Sequence, residues 1–127
     1  MKYIIFSILV TLTLVGCKTS QAIYNTKASV PVNINNETMK KSIIDALLYK
    51  RWRVLKTNDN NIIAGIDVRD HYAEIKITYN NSDYSIDYQN SDNLDYSSSK
   101  NKIHRNYNKW IKLLAAEIER NALLANR

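Results

Sequence analysis

The chain has 127 residues, a formal net charge of +6 and a pI near 9.4. That length holds one domain, large enough to bury a modest core without covalent staples. Two glycines, one proline and one cysteine exclude long Gly-rich nucleotide-binding loops and an intrachain disulfide framework.

Met1 and Lys2 make a minimal positive start. Residues 3–15 are apolar apart from Ser7, Thr11 and Thr13. Such a run of roughly a dozen residues has the length of a signal-peptide apolar region. It falls short of the roughly 20 residues that a membrane-spanning helix needs. The run ends in Leu14-Val15-Gly16-Cys17, where Gly16 offers the small side chain a peptidase pocket requires. This stretch resembles the lipobox of bacterial lipoproteins. The resemblance implies removal of residues 1–16 by signal peptidase II, diacylglycerol on the Cys17 thiol, and acylation (palmitate) of the new amine. Each buried methylene contributes about 0.8 kcal/mol, so several acyl chains together anchor stably. Lys18 stands where Asp commonly marks inner-membrane retention, which implies an outer-membrane lipoprotein facing the periplasm. In that compartment the expected partners are the membrane itself and another envelope protein or anionic lipid head groups, with no nucleic acid.

Residues 18–29 are polar and aperiodic and are read, from Cys17 on, as a flexible tether (17–29) before a single domain at 30–127. About ten extended residues reach roughly 35 Å, enough to hold a domain clear of the head groups. Residues 30–34 alternate apolar and polar, and Pro31 confines any strand there to a sheet edge. Asn35, Asn36 or Thr38 can cap a helix. Met39, Ile43 and Leu47 recur on one stripe, widened by Ile44 and Leu48, with Lys40, Lys41, Asp45 and Lys50 on the wet side. Residues 51–56 switch to period two, with Trp52 and Val54 on one face. After a turn at 57–61, Ile62, Ala64, Ile66 and Val68 line one side of the next strand. Arg69-Asp70 is a tight connection. Ala73, Ile75, Ile77 and Tyr79 then alternate with Tyr72, Glu74, Lys76 and Thr78. Following 80–83, Tyr84, Ile86 and Tyr88 repeat the pattern. The short connections predict an antiparallel meander, and the alternation predicts that one face is covered.

Residues 89–100 read as a polar loop pinned by Leu94 and Tyr96, with Ser97, Ser98 or Ser99 capping a long final helix. Ile103, Tyr107, Trp110, Ile111, Leu114 and Ile118 form its apolar stripe. Lys102, Arg105, Lys109 and Lys112 lie away from it. The predicted order is β-α-β-β-β-β-α, an α+β two-layer sandwich with both helices on one face of a four- to five-stranded sheet, helix-grip-like. The closing helix, with Ile103-His104-Arg105-Asn106-Tyr107-Asn108-Lys109-Trp110-Ile111, is similar to that of small Gram-negative envelope lipoproteins. That resemblance implies a shape and carries no activity. By element order alone the chain also resembles the helix-grip domains of the lipoprotein C component of the outer-membrane β-barrel assembly machine.

His71 and His104 lack the spacing of a zinc site, so no metal and no cofactor is expected. The carboxylate pairs Asp67 with Asp70, Asp83 with Asp87, and Asp92 with Asp95 are explained by turn chemistry, and no catalytic constellation is expected. Asn36-Glu37-Thr38 and Asn80-Asn81-Ser82 match the glycosylation pattern, which a bacterial lipoprotein ignores. With Phe absent after residue 16, the tyrosines Tyr72, Tyr79, Tyr84, Tyr88, Tyr96 and Tyr107 must supply core and rim aromatics. The expected function is a non-catalytic interaction or assembly module, lipidated at Cys17. Its candidate partner surface is Tyr72, Glu74 and Lys76 on the polar sheet face with Arg105 and Lys109 on the last helix. The alternative is a carrier of a small amphiphile or lipid held between helix and sheet.

Overall fold

The computed structural model describes residues 19–127. The stretch expected to be a signal peptide (1–16), the lipobox-like residues 14–17 and the expected lipidation site Cys17 lie outside the described residues. In chain order the elements are β1 (Ser20–Ala22), β2 (Thr26–Ser29), α1 (Asn36–Tyr49), β3 (Arg53–Thr57), β4 (Asn61–Val68), β5 (His71–Tyr79), β6 (Asp83–Asp92), β7 (Lys102–His104) and α2 (Arg105–Ala125). Strands β2 to β6 form one antiparallel sheet in the order β2-β6-β5-β4-β3. With the two helices this gives the predicted β-α-β-β-β-β-α order. Strands β1 and β7 add a separate two-stranded sheet.

Local chemistry sets the element ends. Asn35 caps α1, its side-chain oxygen accepting the Thr38 N–H at 2.8 Å, with Glu37 in the first turn favouring the helix dipole. At the other end the Arg51 N–H donates to Leu48 O and the Trp52 N–H to Leu47 O. This is a Schellman closure, and it puts Arg51 at φ 68°, a conformation glycine usually fills. The buried Trp52 and Leu47 side chains complete it. The β4–β5 hairpin turns in two residues, with Arg69 at φ 58°. In the β5–β6 turn, Asn80 Oδ1 accepts the N–H groups of Ser82 and Asp83 at 2.9 and 2.7 Å.

The core is the layer between the large sheet and the helices. Ile62, Ala64, Ala73, Ile75, Ile77 and Ile86 from the strands meet Met39, Ile43, Ala46, Leu47, Tyr107, Ile111, Leu114 and Ile118 from the helices, all at 0 % exposure. Burying each large side chain of this set contributes about 1.5–3 kcal/mol. The predicted inner faces of β4 and β5 are the ones buried, since a one-residue slip would turn every side chain to water. Leu94 is a fully buried plug, as expected. Tyr96 stays 43 % exposed but stacks on Tyr88 with ring centres 4.2 Å apart.

Several expectations are corrected. The edge strand predicted at 30–34 lies at Thr26–Ser29, because Ala28 and Thr26 pair with Tyr84 and Ile86 of β6. Val30 adds one more bond, its N–H to Ser82 O. Pro31, without an N–H, ends the ladder, while Val30 and Ile34 remain buried in the connection. The tether expected at 17–29 is not a tether from Ser20 on: both β1 and β2 are paired there. Helix α2 is capped by His104 rather than by a serine. His104 Nδ1 accepts the Asn106 N–H at 3.1 Å, and Ile103 belongs to β7. Ser97 instead closes the 97–102 turn, accepting the Lys100 N–H and bridging to Lys102. Leu48, placed on the buried stripe of α1, is 59 % exposed, because the buried face of the helix is centred on Met39, Ser42, Ile43, Ala46 and Leu47, with Ile44 at its margin.

Candidate functional site

The candidate surface residues fall on two separate faces. Tyr72, Glu74 and Lys76 alternate with buried Ala73, Ile75 and Ile77, so they stand on the sheet face turned away from the helices. Arg105 and Lys109 stand on the exposed side of α2, which packs on the opposite sheet face. The structure therefore brings Arg105 and Lys109 together and keeps them apart from Tyr72, Glu74 and Lys76.

On the outer sheet face, Tyr72 lies across Gly65. A Cβ at Gly65 would meet the Tyr72 hydroxyl at 2.9 Å and Leu55 Cδ1 at 3.3 Å. The ring replaces the side chain that glycine lacks, a device that protects a strand glycine. Burial raises the Tyr72 pKa, and Glu74 raises it further while Arg53 opposes. Charges on this face alternate in sign. Arg53 pairs with Asp67, and Lys76 sits opposite Asp87 in the β5–β6 register. Both partners of the Arg53–Asp67 pair are mostly solvated, so it contributes roughly 0–1 kcal/mol.

The α2 face differs in kind. Arg105, Lys109 and Lys112 follow helical spacing at the start of α2, and its first turn contains no acidic residue. Arg69, from the β4–β5 turn, extends the row. Two adjoining clefts of about 500 and 430 Å³ cut into this face and share Asn106, Lys109 and Leu113. Among the described residues, none of Arg69, Arg105, Lys109 and Lys112 forms an ion pair. The nearby carboxylate of Asp70 faces His71 at 3.6 Å. Apolar groups interleave with the cations. Leu113 is 45 % exposed, Trp110 lines one cleft, and Lys112 Nζ sits 5.1 Å from the Tyr24 ring centre.

A residue that the sequence reading passed over fixes this face. Asn108 is buried on α2 beside the apolar stripe. Its Oδ1 accepts the Tyr24 N–H at 2.9 Å, and its Nδ2 donates to Ala22 O at 2.9 Å and Gln21 Oε1 at 3.2 Å. The Arg105 N–H donates to Thr19 O at 2.7 Å, and β1 pairs with β7. The beginning of the described chain is thus fastened to the start of α2. The only sequence signal was a polar residue directly after buried Tyr107, which reads equally well as a stripe boundary.

The two histidines do approach each other, with ring centres 6.1 Å apart and nearly parallel. His71 Nδ1 donates to Asn93 O, and His104 Nδ1 is occupied as the cap of α2. They act as joints between the 93–104 segment and the domain. The carboxylates sit in turn and strand roles too: Asp83 accepts from Ser29, and Asp87 from Ser85. Tyr84 is buried, its hydroxyl donating to Ala115 O at 3.2 Å, and burial pushes its pKa up to about 12. Burial also raises Tyr107, whose hydroxyl is enclosed without a hydrogen-bond partner among the described residues, and Tyr88, which meets Tyr107 edge-on at 5.7 Å. A third cleft, of about 590 Å³, opens at the β5–β6 turn end, bordered by Lys27, Asn80 and Asp83. No helix among the described residues is long and apolar enough to cross a membrane.

Comparison with protein-family models, curated proteins and solved structures yields no match to this chain.

Proposed function

We propose that this chain is a membrane-anchored bacterial lipoprotein, lipidated at Cys17, whose domain is a non-catalytic interaction or assembly module of the cell envelope. The observation that carries the reading is the stretch Leu14-Val15-Gly16-Cys17 after a short apolar run and a basic start. Lys18, standing where Asp commonly marks inner-membrane retention, supports a place at the outer membrane on the periplasmic side. The domain supports the same reading. Its inter-layer space is filled by side chains at 0 % exposure, which favours a module that works through its surface over a carrier that encloses an amphiphile. His71, His104, Asp83 and Asp87 bond to turn, cap and strand groups of the fold, which are structural tasks.

The test is the mass of the protein purified from its membranes, with and without inhibition of signal peptidase II. The expected product begins at Cys17 and carries a diacylglyceryl group and an acyl chain. Cys17→Ser abolishes both the lipid and the cleavage. An unlipidated product cut elsewhere overturns the reading. Photocrosslinking from Tyr72, Glu74 and Lys76 in intact cells then tests the outer sheet face, where a discrete adduct with an envelope protein is expected.

A further inference from the structure

We infer that the face formed by Arg69, Arg105, Lys109 and Lys112, with Tyr24, Trp110 and Leu113 among them, docks flat on the anionic phospholipid surface in which the chain's own anchor sits. This inference rests on the anchor reading above and adds an orientation to it.

The first argument is where the described chain begins. Thr19 is held against the first residue of α2 through its carbonyl, and the next residues are held by β7 and by Asn108. Cys17 precedes Thr19 by two residues, so its Cα lies within about 7 Å of that of Thr19. A lipid on Cys17 therefore brings the start of α2 to the head groups. A spacer of some 35 Å is not available, because residues 20–22 and 26–29 are strands of the domain.

The second argument is charge. The four basic side chains lie together on that end of the molecule without ion-pair partners among the described residues. Arg105 and Lys109 also stand near the positive end of the α2 dipole, an unfavourable place for cations that a nearby anion relieves. The outer sheet face, with its alternating signs, has no such field. The third argument is composition. A cationic rim around Tyr, Trp and a half-exposed Leu suits the interfacial zone, where aromatic rings and Leu reach below the phosphates while Lys and Arg stay level with them. An anionic surface strengthens binding by about fivefold for each basic residue beside it at low salt.

The experiment uses the processed full chain mixed with vesicles of phosphatidylcholine, or phosphatidylcholine with phosphatidylglycerol, each carrying a spin label at the head group. The chain has two tryptophans. Trp110 lies in the basic face and Trp52 is 2 % exposed in the core, so head-group quenching reports Trp110. On anionic vesicles, strong quenching is expected, lost in Trp110→Phe. It should fall in 0.5 M salt and in the combined variant Arg69→Gln, Arg105→Gln, Lys109→Gln, Lys112→Gln. Each charge removed should lower the docked fraction relative to the free one about fivefold. Circular dichroism of the variant confirms that it is folded, and single substitutions replace it if it is not. Flotation separates the two readings. Flotation with both vesicle types but no salt-sensitive quenching on anionic ones keeps the anchor and overturns the docking face. Flotation only with anionic vesicles, lost in the variant, keeps the docking face and overturns the anchor. Flotation with neither overturns both.

Discussion

Asn108→Ala tests the joint that holds the start of the chain to α2. The substitution removes three hydrogen bonds, two of them to the backbone groups of Tyr24 and Ala22. Each such bond contributes about 1 kcal/mol net, and an abandoned buried partner costs about 1–3 kcal/mol. Tyr24 and Ala22 are themselves exposed residues, so water partly replaces the lost amide and the low end of that range applies. The Gln21 contact adds little, since its own side chain is solvated. The expected loss is about 2 kcal/mol, which lowers the melting temperature of a domain this size by roughly 8 °C. The damage should be local first. The Ile23 amide, bonded to Asn101 O, should lose most of its protection from hydrogen exchange, while amides of β4 and β5 keep theirs. Release of residues 20–25 would also lengthen the proposed link to the membrane by roughly 20 Å and weaken the proposed docked orientation. A melting point within about 1 °C of wild type, with Ile23 still protected, would refute the assignment of Asn108 as the joint.

Arg51→Gly should raise stability by about 0.5–1 kcal/mol, since the left-handed conformation at φ 68° costs a side-chain-bearing residue about 1–2 kcal/mol and glycine's greater loss of freedom on folding offsets about 0.5–1 kcal/mol of that; chemical denaturation measures it. His104→Ala removes the α2 cap and should cost about 1 kcal/mol by the same assay. Ile77→Ala, at a fully buried position in the central strand, should cost about 2–5 kcal/mol by the same assay. Stability should also fall in alkali. Tyr84 ionises near 10 when unfolded but only at about 12 in the fold, chiefly through burial. The folded state therefore holds the proton longer, so its advantage is complete below pH 10 and is lost as pH rises toward 12. Absorbance of phenolate against pH should show a late group of tyrosines whose ionisation coincides with unfolding, and a single normal titration would contradict the burial of Tyr84.

What the sequence determined by itself was whatever local periodicity encodes. The alternation of Ala73, Ile75, Ile77 and Tyr79 selected the buried face of β5, and Met39, Ile43 and Leu47 selected the buried face of α1. Short turns left only antiparallel neighbours. The capping candidates Asn35, Asn36 and Thr38 placed the start of α1 to within a few residues because a cap acts locally, and the fold selects Asn35. The lipobox-like stretch Leu14-Val15-Gly16-Cys17 is likewise a contiguous pattern. Tertiary structure decided the features that join distant residues. Strands β1 and β2 are three and four residues long, too short and too polar to show a period, and they exist because β7 and β6 offer free edges. Asn108 and Tyr24 lie 84 positions apart, so no local pattern marks an amide as their junction. The same holds for the basic face: Lys109 and Lys112 could be placed on the wet side of a helix from spacing alone. That Arg69 and the first described residues meet them at one end of the domain follows only from how the sheet and α2 pack.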